Sequence, residues 1–545
     1  MASPVQEVAN QSSELVDYNL FTTHPALVDA LARECGAGAH DPMVALGERL
    51  GTSEMFSLAA AANDHPPTLK LFDRFGRRRD EVEFHPAWHE LMKRLVAEGL
   101  HTSPWADQAP AAHARRAAGY MLWSEVENGT QCPATMTYGA VAALARQPAT
   151  FREWLPLLLS REYDPRFVPA AIKNGALMGM GMTEKQGGSD VRSNTTQATA
   201  ATARGPGLEY RLSGHKWFFS APMCDAFLVL AQAYGGLSCF FVPRFAPDGT
   251  LNTVRLLRLK NKLGNRSNAS SEVEFDATYA LLVGEEGRGI PTILEMGVYT
   301  RLDNAVASAG LMHQCTAQAI HHARERTAFG RLLIDQPLMR NVLADLAIEC
   351  ESAVVLTMRL ARAFDAKDDE VEALFRRVLT PAAKYWVCKR APLVAAEAME
   401  VLGGNGYVEE GPLARRFREA PLNSIWEGSG NIMCLDVLRA LSREPRAREV
   451  LDTILSTAKG LDSRYDDFVS ELSAQLDAAS GAEGRARRST EMLVLAIQAA
   501  TLMTQGPSVS AEAFLGSRLA ERPPGAFGTL PGLDQNALIE RVLRV

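Results

Sequence analysis

Paired cysteines are missing from this chain, and their absence removes two classes of protein at once. The eight cysteines (Cys35, Cys132, Cys224, Cys239, Cys315, Cys350, Cys388 and Cys434) are scattered. They form no CxxC pair and have no histidines nearby at zinc-ligand spacing, so they read as reduced core residues, and no metal is expected. An excess of positive charge is also lacking. The 57 Lys and Arg against 64 Asp and Glu give a net charge of −7, so there is no global attraction to nucleic acid or to an anionic membrane, although a local basic patch is invisible in that sum. No run reaches the ~18 apolar residues of a membrane span; Met492 to Met503 comes nearest, and Gln498 interrupts it. The start, Met1 to Asp17, is polar and acidic without a basic n-region and an apolar h-region, so no secretory signal is expected and the expected location is the cytoplasm. Internal repeats and low-complexity tracts are absent too.

What is present is ample apolar material: 545 residues, 47% hydrophobic and 22% charged, enough for several domains of ~100–200 residues each. One stretch stands out, Met182-Thr183-Glu184-Lys185-Gln186-Gly187-Gly188-Ser189-Asp190-Val191. Gly187 and Gly188 permit φ > 0 and close backbone approach, so the loop can wrap a flat or phosphorylated ligand with backbone N–H groups and the hydroxyls of Thr183 and Ser189. The same residues also suit an ordinary strand-to-strand turn.

In chain order, the first part is helical with irregular connections. Asn19 to Thr23 is expected to be extended, and Pro25 opens a helix through Val28, Leu31 and Ala32. Further helices are expected from Pro86 to Val96 and from Ala111 to Val126, with Trp88, Trp105, Trp123 and Trp154 in the core. Asn128-Gly129-Thr130-Gln131-Cys132-Pro133 then breaks the helix as a polar loop able to face a ligand. At about Gly175 the period changes to alternation. Leu208 to Gly214, Phe227 to Ala231, Leu237 to Val242 and Ser271 to Phe275 predict strands punctuated by Gly and Pro, and Gly214 to Ser220 adds an aromatic strand ending in a hydroxyl. From about Gly289 the helical period returns in long amphipathic stretches, Arg301 to Arg326, Gln336 to Phe364 and Glu370 to Leu402, with a kink or restart expected at Thr380-Pro381.

Four motifs occur here in one order: Met182-Thr183-Glu184-x-x-Gly-Gly-Ser189-Asp190, Arg326-Thr327-x-Phe329-Gly330, Leu402-Gly403-Gly404-Asn405-Gly406-Tyr407 and Ile425-Trp426-Glu427-Gly428-Ser429-Gly430-Asn431. In order and spacing the chain resembles the acyl-CoA dehydrogenase family and, from Asn19 to Arg439, its AidB-type adaptive-response branch, with Lys262-Leu263-Gly264-Asn265-Arg266-Ser267-Asn268 adding to the likeness. The resemblance implies a mainly α fold with a central β-barrel: a helical N-terminal domain (1–175), a barrel (176–288), a helical bundle (289–440) and an extra helical C-terminal domain (441–545). It implies FAD as cofactor and a homotetramer in which the residues matching Arg326, Phe329 and Gln336 reach a neighbour's FAD. It carries flavin contacts over to Met182, Thr183, Gly187, Gly188, Ser189, Asp190, Val191, Lys216, Trp217, Phe218 and Ser220. It does the same for Gly403, Gly404, Asn405, Gly406, Asn423, Trp426, Gly428, Ser429 and Asn431. Phe218 stands where relatives often place a tryptophan against the isoalloxazine ring.

Glu427, between Trp426 and Gly428, fits the base that takes the α-proton of an acyl thioester; its other reading is an N-cap or exposed turn carboxylate. Relatives usually carry Pro and Ala in the cradle where this chain has Lys185 and Gly187. Lys185 therefore binds a substrate phosphate, fills the channel, or is a solvated charge, and Arg301 stands where it would orient either CoA or nucleic acid. Two functions remain. One is a flavoprotein of the AidB type that associates with double-stranded DNA and has weak or no dehydrogenase activity; the other is a genuine acyl-CoA dehydrogenase for a short or branched acyl group. In the C-terminal segment Leu451, Ile454, Leu455, Ala458, Leu461, Tyr465, Phe468, Leu472 and Leu476 predict helices packed on the bundle. A DNA face there requires Arg439, Arg443, Arg446 and Arg448 to gather with Arg485, Arg487 and Arg488, and a mixed-charge surface is the competing expectation.

Overall fold

A computed structural model describes residues 8–107, 109–366, 368–478, 482–520 and 526–544. Residues 1–7 of the expected acidic start lie outside the described residues. The chain divides into two compact units: residues 54–112 with 126–303, and residues 1–53 with 113–125 and 304–545. No helix among the described residues is long and apolar enough to cross a membrane.

The first unit is built on a sheet. Strands Thr68–Phe72 (β1) and Arg78–Glu83 (β2) form a separate antiparallel pair. Met178–Gly181 (β3), Gln197–Ala200 (β4), Glu209–Ser220 (β5), Ala226–Ala233 (β6), Gly236–Pro243 (β7), Val254–Leu259 (β8) and Ser270–Val283 (β9) form the main sheet. Its order is β3-β6-β4-β5-β9-β7, with β8 on β9 and a further pairing of β6 with β7. That last pairing closes β6, β4, β5, β9 and β7 into a five-stranded barrel, so these strands have no free edge. The interior is apolar, as β6 and β7 supply Phe227 to Ala231 and Cys239 to Val242, all buried.

The second unit is helical, and its helices begin where the sequence punctuates them. Pro25, Pro337 and Pro445 stand at first-turn positions, where a missing N–H costs nothing. Asp369 caps Glu370–Val401 by accepting from the N–H groups of Val371 and Glu372. The C-terminal helices Pro445–Ser456, Ser463–Asp477 and Ala482–Gln505 bury Leu451, Leu455, Tyr465, Phe468 and Leu472 as their spacing predicts, while Leu461 is left exposed.

The structure corrects two local expectations. Asn19 to Thr23 is a turn rather than an extended entry, because the Asn19 side chain accepts from the backbone N–H groups of Phe21 and Thr22. Glu370–Val401 runs on through Pro381 and Pro392. The polar loop at Asn128 is braced from within, where the buried Glu127 carboxylate accepts from Gly129 N, Thr130 N, Thr130 Oγ1 and Ser267 Oγ.

Candidate functional site

Two groups of site residues can be built, one in each unit. In the barrel unit the loop Met182 to Val191 follows β3 and is laid alongside β5, where the Trp217 N–H donates to the Thr183 carbonyl at 2.9 Å. Neither Gly187 nor Gly188 has positive φ. What requires glycine there is space, since a Cβ on Gly187 would lie 2.8 Å from Ser193 Oγ and one on Gly188 would lie 3.2 Å from Thr183 Cγ2. Gly188, Ser189 and Asp190 are exposed, with Met182, Thr183 and Val191 half-buried behind them.

Glu184 holds this loop in shape. Its carboxylate is buried and accepts from Lys216 Nζ (2.6 Å), Thr195 N (2.7 Å), Thr195 Oγ1 (3.0 Å), Thr196 N (3.2 Å) and Gln186 Nε2 (2.7 Å). Burial works against the charge, but the Lys216 ammonium and these donors outweigh it and hold the carboxyl well below its usual range. Lys216, expected at the cofactor, has a fully buried ammonium turned onto Glu184, and burial pushes it down to about 8 against the pull of that carboxylate. The register of β5 against β9 slips between Lys216 and Phe219, a bulge that swings two consecutive aromatics outward. Trp217 is half-buried, Phe218 is 51% exposed, and Phe219 returns to the core. Ser220 is half-buried at the strand end. Lys185 places its ammonium 5.7 Å from the Trp217 ring centroid, beside Lys260 at 3.4 Å. Arg301 lies half-buried in the Gly289–Glu325 helix, on the part belonging to this unit.

In the helical unit Arg326 begins a two-residue hairpin, Thr327–Ala328 (β10) against Arg331–Leu332 (β11). Phe329 (φ 52) and Gly330 (φ 77) form its turn, with positive φ at both positions as such a tight turn requires. Phe329 is 100% exposed at the tip. Gln336 braces the hairpin through Nε2 to the Ala328 carbonyl at 3.0 Å. Arg326 donates to the Asn10 carbonyl, and Asn10 also exchanges two bonds with the Thr327 backbone, both 2.8 Å. Gly403 turns the chain at φ 59, and a Cβ on Gly406 would lie 2.1 Å from the Met399 carbonyl oxygen, so the Gly403-Gly404-Asn405-Gly406 bend needs its small residues. Asn405 Nδ2 donates to Gln11 Oε1 at 3.1 Å.

The loop carrying Glu427 is the most constrained piece of this unit. Glu427 itself has φ 58 and Gly428 φ 104; a left-handed glutamate costs on the order of 1 kcal/mol and persists only where its surroundings impose it. They do. The buried Lys384 ammonium donates to the carbonyls of Trp426 (2.8 Å) and Gly428, one on each side of Glu427. Trp426 Nε1 donates to Asn423 Oδ1 at 3.0 Å, and Asn423 Nδ2 to Ser308 Oγ at 3.1 Å. Ser429 then stands at the N-cap of Gly430–Arg443. Glu427 is half-buried, neither sealed in the core nor loose in solvent.

Glu184, Lys384 and Asn10 were not among the expected site residues. Glu184 lies inside the Met182-to-Val191 motif, but nothing in its spacing points to Lys216, and Lys384, 42 residues before Trp426, leaves no local signal.

Six of the seven arginines expected to make a DNA face contact other groups among the described residues, Arg443 being the exception. Arg485 donates to the Ala478 carbonyl, Arg487 to Asn431 Oδ1, and Arg488 lies 3.7 Å from both Glu471 and Glu491. Arg439 is 3.7 Å from Asp436, Arg446 pairs with Glu370, and Arg448 bridges Asp452 and Asp477. Acids thus stand beside Arg439, Arg446, Arg448 and Arg488, whereas Arg485 and Arg487 are held by neutral groups.

Residues 10–165 match the family described as adaptive response protein AidB N-terminal domain, residues 179–278 the acyl-CoA dehydrogenase middle domain, and residues 287–442 the acyl-CoA dehydrogenase C-terminal domain. The chain is 51% identical over 471 residues to the putative acyl-CoA dehydrogenase AidB of Escherichia coli, covering 86% of each. Its fold is similar to that of Caenorhabditis elegans ACDH-11 solved in complex with C11-CoA, with a TM-score of 0.84 at 26% identity over 99% of this chain and 93% of that one. A Bacillus anthracis acyl-CoA dehydrogenase complexed with FAD shares the fold at a TM-score of 0.62 and 17% identity, covering 79% of this chain and 80% of that one.

Proposed function

Given that the chain belongs to the acyl-CoA dehydrogenase family, in its AidB-type branch, we propose that it is an FAD-dependent oxidoreductase that dehydrogenates an acyl thioester between Cα and Cβ, with Glu427 as base. The observation that carries this reading is the strained, doubly clamped backbone at Glu427. A carboxylate serving only as a turn residue gains nothing from a left-handed φ held open by a buried lysine.

The residues fit the cofactor. Thr183, Ser189, Ser220 and the loop's backbone N–H groups offer neutral donors around an exposed Phe218 face, which supplies stacking area without a competing charge. Arg326 supplies a planar fork suited to a pyrophosphate. Bound FAD contributes the hydride acceptor at N5. The protein's own work is to fix the thioester and to let Glu427 take the α-proton while hydride leaves the β-carbon, so that one C–C double bond forms and the carboxylate ends protonated. Lys185, exposed on the loop, and Arg301 carry the sign of charge that CoA phosphates require. A homotetramer with shared flavin sites is proposed from the family resemblance, and the fully exposed Phe329 at the Arg326 hairpin makes no contact among the described residues that would oppose it. The four domains expected from the sequence are retained as the division on which this assembly is drawn.

Association with duplex DNA is the second reading, favoured by the match to the adaptive-response N-terminal domain. The paired arginines of the C-terminal helices make it the weaker one. The test is anaerobic mixing of the purified protein with short, branched and longer acyl-CoAs while flavin absorbance is followed, beside a duplex titration. Bleaching by one acyl class with no duplex affinity supports the dehydrogenase; a colourless protein that takes up no FAD overturns both readings.

A further inference from the structure

The helical unit holds a second cluster that the flavin chemistry does not use. His24 immediately precedes the Pro25–Cys35 helix, Glu125 follows the Ala112–Ser124 helix, and His313 lies in the part of the Gly289–Glu325 helix belonging to this unit. Their side chains meet in the core at 0%, 0% and 2% exposure. His24 Nδ1 is 3.5 Å from Glu125 Oε1, His313 Nδ1 is 3.0 Å from Glu125 Oε2, and the two imidazole rings stack with centroids 3.3 Å apart and 7° between planes. Close as they are, no well-aligned hydrogen bond joins them. Both ring nitrogens of His24, both carboxylate oxygens of Glu125 and Nδ1 of His313 are buried without a hydrogen-bond partner. Five such atoms in one place depart sharply from the rule that buried polar groups are satisfied.

The far side of His313 says which way its ring is set. Nε2 lies 2.9 Å from the Val542 carbonyl oxygen, an acceptor only, so Nε2 carries a proton and, in the neutral ring, Nδ1 presents a bare lone pair to a carboxylate. Two lone pairs at 3.0 Å repel unless a proton or a metal cation lies between them. An imidazole oriented by a backbone carbonyl, with its other nitrogen free, is how metal-bound histidines are usually held. The neighbouring cations place their hydrogen bonds elsewhere: Arg541 pairs with Asp29 and Glu351, both at 2.7 Å, and Arg416 donates to the Glu125 backbone carbonyl at 2.7 Å.

We propose that His24, Glu125 and His313 form a buried binding site for a divalent transition-metal ion of the zinc class, separate from the flavin site. One donor atom from each lies within 4.8 Å of the others, close to the spread of ligands bound at about 2.0–2.2 Å around a single ion. Two imidazoles and one carboxylate favour zinc, cobalt or nickel over calcium and magnesium, which take oxygen ligands. An ion bonded in the plane of each ring parts the stacked pair, so metal binding and stacking are alternative states of the cluster. Because the ligands come from the N-terminal segment, the 113–125 segment and the long helix, and His313 also touches the C-terminal Val542, the ion would staple the ends of the helical unit together.

The test uses the full-length flavoprotein. After treatment with a chelator and gel filtration, Zn2+ or Co2+ is added back, and metal content, absorbance beyond the flavin band and the unfolding midpoint are measured. The expected result is one ion per chain, d–d bands from Co2+ typical of low-coordinate nitrogen and oxygen ligands, and a raised midpoint with Zn2+. Glu125→Gln and His313→Gln should each lower metal affinity at least tenfold while leaving flavin content unchanged. Where a variant fails to fold, the wild-type titration decides. No stoichiometric uptake, no d–d bands and an unmoved midpoint at millimolar metal would assign the cluster to a shared proton and overturn the proposal, as would undiminished uptake by a folded Glu125→Gln.

Discussion

Replacing Lys216 with Met isolates the contact that shapes the cradle. The substitution removes one of the five donors on the buried Glu184 carboxylate and its only charged one, leaving Thr195 N, Thr195 Oγ1, Thr196 N and Gln186 Nε2 in place. Breaking a buried ion pair from one side costs 3–5 kcal/mol, and the four remaining donors put this case at the lower end, about 3 kcal/mol. Each 1.36 kcal/mol is a decade, so the closed loop should lose roughly two orders of magnitude in population against open forms. The assay is the rate of flavin loss into excess apo-acceptor, alongside urea unfolding followed by barrel tryptophan fluorescence. Lys216→Met should release flavin much faster and lower the urea midpoint. Glu184→Gln combined with Lys216→Met, which leaves no buried charge, should recover part of both losses. A single variant with wild-type flavin retention and midpoint would refute the reasoning, because the pair would then be incidental to the loop.

Acid should act on the same carboxylate with a defined sign. The folded-state pKa of Glu184 is depressed, so the unfolded chain takes up its proton first; the contribution is complete above the ordinary glutamate value of about 4.3 and is lost as pH falls below it, and flavin release measured down a pH series should accelerate only in that acid range. Lys384→Met should unclamp Glu427, lowering the rate of flavin reduction by roughly 10–100-fold while acyl-CoA binding, read from the flavin spectrum, changes little; equal losses in both would point to general unfolding instead. Arg326→Ala should weaken flavin retention and assembly together in light scattering, and a monomer with full flavin occupancy would contradict the shared-site arrangement. Replacing Arg485, Arg487 and Arg488 with Gln should flatten the salt slope of duplex binding while leaving FAD bound, because Arg485 and Arg487 are bonded to neutral groups and keep their full charge; an unchanged slope would place any duplex contact elsewhere.

The fold was legible where hydrophobic period is strong and local. The switch to alternation near Gly175 and back near Gly289 marks the sheet and the long helices, which appear as β3 to β9 and as Gly289–Glu325, Pro337–Ala363 and Glu370–Val401. The β1–β2 pair was not foreseen, since Arg78-Arg79-Asp80-Glu81-Val82-Glu83 shows no apolar alternation and the strand buries Asp80 through an ion pair with Arg78. Proline at 381 does not restart the helix, because a packed helix tolerates a lost hydrogen bond that an isolated one does not. For the site, the four motifs located the cradle and the Glu427 loop. The groups that fix them, Lys216 for Glu184 and Lys384 for Glu427, were illegible as such because buried lysines acting across 32 and 42 residues leave no spacing to read. The same holds for His24, Glu125 and His313, whose separations defeat any search for ligands at short spacing.

The central claim, that Glu427 is the base of a flavin-dependent acyl-CoA oxidation, is tested most directly by comparing wild type and Glu427→Gln in anaerobic stopped flow against the acyl-CoA that bleaches wild type best. The glutamine keeps the size and removes the proton acceptor, so flavin content should stay the same while the reduction rate falls on the order of 10²–10⁴-fold or more. A Glu427→Gln protein that reduces at the wild-type rate would contradict the account.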